Sequence, residues 1–163
     1  MSNNDLYIAS PLGFSEVGRL FMYEKLFPLV TSLGYGIIDP WVLTPKSIID
    51  KVLCMPYGIE RKQAWGKLNV IIGENNAKGI DRSRGILAVL DGVDVDSGTA
   101  SEIGYAAAQS KPTLGYRGDF RLSADNEGSM VNLQVEYFIR INGGIIVNSL
   151  EDISQNLSKV FAI

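Results

Sequence analysis

Five short apolar runs alternate with longer stretches of helical periodicity, and this alternation restricts the fold more than any other feature of the chain. The runs are Leu6-Tyr7-Ile8-Ala9-Ser10, Tyr35-Gly36-Ile37-Ile38, Gly85 to Leu90, Thr113-Leu114-Gly115-Tyr116 and Ile145-Ile146-Val147. The third contains Ile86-Leu87-Ala88-Val89-Leu90, apolar on both pleat faces, as a strand covered on both sides of a parallel sheet must be. Pro11 and Gly13 close the first run, Asp39-Pro40 the second, and Gly143-Gly144 opens the fifth. Ser15 is placed to cap a helix in which Val17, Leu20, Phe21, Leu26, Leu29, Val30 and Leu33 recur up to Gly34. Further helices are predicted over 67–82, 97–110, 131–141 and 150–161. Residues 41–66, where Pro45, Pro56 and Gly58 mix with Trp41, Tyr57 and Trp65, are predicted to form an irregular flap.

This order implies a flavodoxin-like, doubly wound α/β fold: a five-stranded parallel sheet of order 2-1-3-4-5 with helices on both faces. One domain is expected to take up the whole chain, 1–163. Ligands of such sheets bind beyond the carboxyl ends of the strands, so the loops after strands one to four should share one crevice, bringing together Tyr7 to Phe14, Asp39-Pro40-Trp41 and Asp91 to Glu102.

Fifteen Lys and Arg against eighteen Asp and Glu give a net charge of −3 without a basic stripe, so neither nucleic acid nor an anionic membrane is an expected partner. No apolar run approaches the ~20 residues of a membrane span. Met1 leads into Leu6-Tyr7-Ile8-Ala9 without a secretory leader, and the lone Cys54 has no internal disulfide partner, so a cytoplasmic protein is expected. The chain has no histidine, which removes the Ser-His-Asp triad, the Cys-His pair and most catalytic zinc sites. No metal site is expected, and carboxylates, tyrosines and amides are left to carry any chemistry.

They concentrate in VLDGVDVDSGTASEIGYAAA, Val89 to Ala108. Asp91 and Asp94 follow the third strand and read either as site residues at the functional edge or as solvated loop acids. Asp96 stands just before a helix, where it can cap free N–H groups or face a ligand. Thr99-x-x-Glu102 matches a capping box, which would tie Glu102 to the helix start. Alternatively, a first-turn glutamate feels the positive end of the helix dipole, which would lower its pKa and keep it ionised as a nucleophile. The small residues Gly98, Ala100, Ser101, Gly104 and Ala106 to Ala108 suit close helix–sheet packing or room for a ligand ring equally well.

Together, LYIASPLGFS with Tyr7, the Asp39-Pro40 pair, Asp96 six residues before Glu102, and the late Asn132-Leu133 resemble the nucleoside 2-deoxyribosyltransferases over roughly residues 5–150. The resemblance implies base exchange on 2′-deoxyribonucleosides, with free purine or pyrimidine bases as partners and no cofactor. It casts Glu102 as the nucleophile, Tyr7 as the residue that orients it, and Asp96 as a carboxylate beside the sugar. It further implies that Phe14 stacks on the base, that Asn76 lies near it, and that Asn132 serves a neighbouring subunit of a homo-oligomer; Asp39 and Asp91, which follow the second and third strands, are counted with Asn76 as substrate-site residues. Asn76 stands where an aspartate is usual in the family, which shifts protonation of the leaving base to Asp39; Gln134 replaces the usual methionine after Asn-Leu. The rival readings are hydrolysis of the same glycosidic bond, with Ser10, Ser15 and Arg19 holding a 5′-phosphate, and a non-catalytic nucleotide-binding module.

Overall fold

The computed structural model describes residues 4–162. The ends of the expected 1–163 domain, and Met1, from which the absence of a leader was read, lie outside the described residues. Strands β1 (Asp5–Ala9), β2 (Gly36–Ile38), β3 (Gly85–Val89), β4 (Thr113–Tyr116) and β5 (Ile145–Val147) form one parallel sheet in the order 2-1-3-4-5. The doubly wound topology is therefore as expected, and β3 is buried at every position.

The pleat sorts the core into two halves. Leu6, Ile8, Leu87, Val89, Leu114 and Tyr116 face one side, against Leu26, Val30, Ile153 and Leu157. Tyr7, Ala9, Ile86, Ala88 and Leu90 face the other, against Ile80, Ile103, Ala106 and Ile139. Tyr7 pairs with Ile38 and Ile86 in register, so a one-residue slip of β1 would turn its phenol to the wrong face.

On the first side lie α1 (Glu16–Phe21), α2 (Phe27–Ser32) and α8 (Leu150–Val160). Ser15 caps α1 as predicted, accepting from Gly18 N at 3.0 Å. The expected single helix is split by a π-helical turn, Met22–Leu26, because Pro28 supplies no N–H and its ring would collide with the carbonyl one turn back.

The other side carries α5 (Ile59–Arg82), α6 (Ser97–Ala108) and α7 (Leu133–Arg140), with the short α3 (Pro40–Leu43) and α4 (Lys46–Leu53) at the β2 end. This corrects the flap expected over 41–66: it is helical for most of its length, and α5 begins at Ile59, eight residues before the predicted start. Glu60, Arg61, Lys62, Gln63 and Ala64 are good helix formers, but this end of α5 leaves the sheet and buries no apolar stripe, so periodicity could not reveal it. Among the described residues no helix is long and apolar enough to cross a membrane.

Candidate active site

A cavity of about 430 Å³ opens at the carboxyl edge of the sheet, within the range usual for small-molecule sites. The loop after β1 contributes Ser10 and Phe14, the segment after β2 contributes Pro40 and Trp41, and the start of α6 contributes Asp96, Gly98, Thr99 and Glu102. Asn69, Ile72 and Asn76 line it from α5, their three- and four-residue spacing placing them on one helix face. The loops after β1, β2 and β3 converge as the topology implies and α5 adds a wall, but the loop after β4, expected in the same crevice, contributes Gly118 and Asp119 to a separate cavity instead.

At its floor the Tyr7 hydroxyl donates to Glu102 Oε1 at 2.6 Å, across 95 residues of sequence. Asp96, not Thr99, caps α6: its Oδ2 accepts from Thr99 N at 3.0 Å. The capping-box reading of Thr99 and Glu102 is therefore corrected. Glu102 sits a turn deeper in the helix than that reading required, with its carboxyl turned to Tyr7. Its expected low pKa is corrected too. Burial pushes the carboxyl up to about 7, the Tyr7 hydrogen bond pulls in the opposite sense, and the nearby charge of Asp96 raises it further. Tyr7 is raised far above the ordinary tyrosine value by burial and then by the Glu102 charge, so it remains a donor. Asp96 has both roles weighed from the sequence, since the same carboxylate caps the helix and lines the cavity.

Phe14 meets Trp41 edge to face, ring centroids 4.6 Å apart, and the two form an aromatic wall. Gly13 is required beside them, because a Cβ there would fall 2.0 Å from Trp41 Cε2. Trp41 was placed near the crevice by sequence but not among the site residues. The Asp-Pro-Trp tripeptide after a strand was the only available signal.

Asp39 does not line the cavity. It is buried, accepting from Trp41 N at 3.0 Å through Oδ1 and from the Tyr23 hydroxyl at 2.8 Å through Oδ2. That geometry makes it the cap of α3 and the anchor of Trp41, rather than a free acid facing a leaving base. Asp91 also lies away from Glu102, its Oδ1 accepting from Asp119 N at 2.8 Å, and it lines a separate cavity. Asn132 caps α7, accepting from Gln134 N at 3.0 Å, and is not among the residues lining the Glu102 cavity. Asn76 does line it, and its Oδ1 is buried without a partner among the described residues.

Of the residues proposed to grip a phosphate, Ser15 is occupied as the α1 cap and Arg19 donates to the Gly13 carbonyl at 3.0 Å. Only Ser10 reaches the cavity, and no Lys or Arg is among the residues that line it. Sequence reading missed Arg117 altogether. It is 2% exposed and its guanidinium donates to the carbonyls of Leu90, Gly92 and Arg121, fixing the loop that leads to Asp96. A charged residue directly after a strand gave no sign of burial.

Several known proteins share this fold. A conserved protein from Enterococcus faecalis V583 has a TM-score of 0.69 at 21% identity, over 97% of this chain and 99% of that one. The 2-desoxiribosyltransferase from Leishmania mexicana has a TM-score of 0.62 at 20% identity, over 96% and 97%. The CMP N-glycosidase BcmB of Clostridium botulinum has 0.53 at 16%, over 95% and 98%. At such identities these likenesses concern the fold. Uncharacterized protein C191.05c of Schizosaccharomyces pombe is 29% identical over 128 residues, 55% of this chain, which spans 61% of that relative's length. A family profile described as nucleoside 2-deoxyribosyltransferase matches residues 6–134, and the chain belongs to that family.

Proposed function

We propose that the protein exchanges the base of 2′-deoxyribonucleosides through a deoxyribosyl ester on Glu102. The observation that carries this reading is the Tyr7–Glu102 pair, 2.6 Å apart, at the floor of a cavity with an aromatic wall and a second carboxylate. In the first step a Glu102 oxygen bonds to C1′ as the C1′–N bond breaks, and the base leaves with the bonding pair and takes up a proton. In the second a ring nitrogen of another base bonds to C1′, loses its proton, and the ester bond breaks to restore the carboxylate. The positive charge that develops on the sugar is stabilised by Asp96 and by Glu102 itself. Tyr7 holds the carboxylate in one orientation, and Phe14 with Trp41 offers a face for the base.

The absence of Lys and Arg from the lining favours an unphosphorylated nucleoside over a 5′-monophosphate. The site is completed, in this reading, by a second copy of the chain that brings its Asn132 to the 5′-hydroxyl. Leu133, Tyr137 and Ile141, each about half exposed at four-residue spacing along α7, form an apolar stripe beside that asparagine which suits such a contact.

Incubation with deoxyinosine, with and without adenine, tests the reaction. Transfer yields deoxyadenosine, and hypoxanthine release depends on adenine. Hypoxanthine formed equally in both, without deoxyadenosine, would make the protein a hydrolase, and no release in either would leave a binding module.

A further inference from the structure

Asp91, which sequence placed in the substrate crevice, belongs to another cavity, of about 460 Å³. The Pro11–Phe14 turn divides the two: Ser10 and Phe14 line the Glu102 cavity, whereas Leu12 lines this one. Leu12, Val17 and Phe21 provide apolar walls, and Phe21 stacks on Tyr116 with centroids 5.9 Å apart.

Two polar groups are left open within it. Tyr116 is only 9% exposed, lines the cavity, and its hydroxyl has no partner among the described residues. The hydroxyl is open to the cavity, where it is free to donate. Asp91 spends Oδ1 on Asp119 N, and its Oδ2 turns toward Gly118. A Cβ at position 118 would lie 2.5 Å from Tyr116 Oη and 3.5 Å from Asp91 Oδ2, so both groups stand beside the Gly118 backbone, and a glycine is what lets the Tyr116 hydroxyl approach it. One donor and one acceptor therefore stand near each other on the wall of this cavity. The second carboxylate of the lining, Asp119, is held by Arg121. No Lys or Arg is among the lining residues, which disfavours a phosphate.

We propose that this cavity is a second small-molecule site that binds a free amino-substituted base, such as adenine or cytosine, with Asp91 Oδ2 accepting from the exocyclic amine and the Tyr116 hydroxyl donating to the adjacent ring nitrogen. The apolar walls take the ring. The choice of a free base rests on the exchange reaction proposed above; the donor–acceptor pair does not. Because both cavities use the Pro11–Phe14 turn, a base bound here reports on, and biases, the position of Phe14.

The test is an amide NMR titration of the full chain with adenine, which by itself supplies no sugar to transfer. Shifts at Gly18, Gly118 and Asp119 follow the second site, and the Trp41 side chain follows the first. Tyr116→Phe and Asp91→Asn should each weaken the first set of shifts roughly tenfold, as loss of one hydrogen bond to a charged or buried partner does, while the Trp41 response persists. Asp91→Asn retains an acceptor for Asp119 N and alters only the edge offered to ligand. Hypoxanthine, which has a carbonyl in place of the amine, should bind the second site more weakly than adenine. Silence of Gly18, Gly118 and Asp119, or shifts there that survive both variants, would overturn the proposal. If the exchange assay fails while these shifts respond as stated, the reaction alone is refuted.

Discussion

Replacing Glu102 by Gln should abolish activity and at the same time stabilise the protein in alkaline solution. Burial raises the Glu102 pKa from 4.5 to about 7, so the folded state holds this proton more tightly than the unfolded chain does. The stability contributed by the protonated form is fully present below the unfolded value of about 4.5 and is lost as pH rises through about 7. At 1.36 kcal/mol per unit, that loss amounts to about 3 kcal/mol in weakly alkaline solution. Glutamine cannot ionise and loses nothing. Its amide oxygen still accepts from the Tyr7 hydroxyl, so the comparison isolates the charge. Urea or thermal unfolding of both proteins at about pH 5 and about pH 8.5 measures the difference. The variant should lead by only about 1 kcal/mol at the lower pH and by about 3 kcal/mol at the higher, or roughly 6–12 °C in Tm for a chain of this size. Activity should fall at least ~10³-fold, as loss of a covalent nucleophile does. Stability curves that stay parallel between the two pH values would refute the claim that a buried carboxylate sits against Tyr7, whatever the activity did.

Tyr7→Phe removes the donor that lowers the Glu102 pKa, so the acid limb of the kcat/KM profile should move to higher pH and the rate should drop by about 10–10²-fold; an unmoved limb would separate Tyr7 from Glu102. Gly13→Ala drives a methyl into the Trp41 ring and should destabilise by about 1–3 kcal/mol. Adding Trp41→Ala should recover part of that stability without recovering substrate affinity, as read by unfolding and by KM. Arg117→Met leaves the carbonyls of Leu90, Gly92 and Arg121 without their shared donor and should cost about 3 kcal/mol in urea unfolding. Hydrogen exchange at Thr99, whose amide Asp96 holds, should quicken in that variant if Arg117 fixes the loop.

The class of fold and the strand order were legible because five apolar runs of strand length, separated by periodic segments, admit few arrangements. The limits of α5 were not, because burial writes periodicity into a sequence and residues 59–66 bury little. Asp96 and Thr99 both offered plausible caps for α6, and local pattern could not choose between them. The choice moved Glu102 from the first turn to a deeper one, and burial at that position, which local pattern does not record, is what raises its pKa. Asp39 and Asp91 were read as site residues from their place after strands. Asp39 turns back to cap α3 and Asp91 enters the neighbouring cavity, because where a loop side chain goes depends on turn geometry that a list of residues does not contain.

By itself, the order of apolar and polar residues determined the layers, the topology and the edge of the sheet where the cavity opens, and the residue types excluded imidazole chemistry. Tertiary structure decided the protonation of Glu102, its pairing with Tyr7, the service of Asp39 to Trp41 and the burial of Arg117. The reason is physical. Periodicity records which face of an element is dry, a one-dimensional property, whereas a pKa or a hydrogen bond between groups 95 residues apart depends on distances set only when the helices close over the sheet.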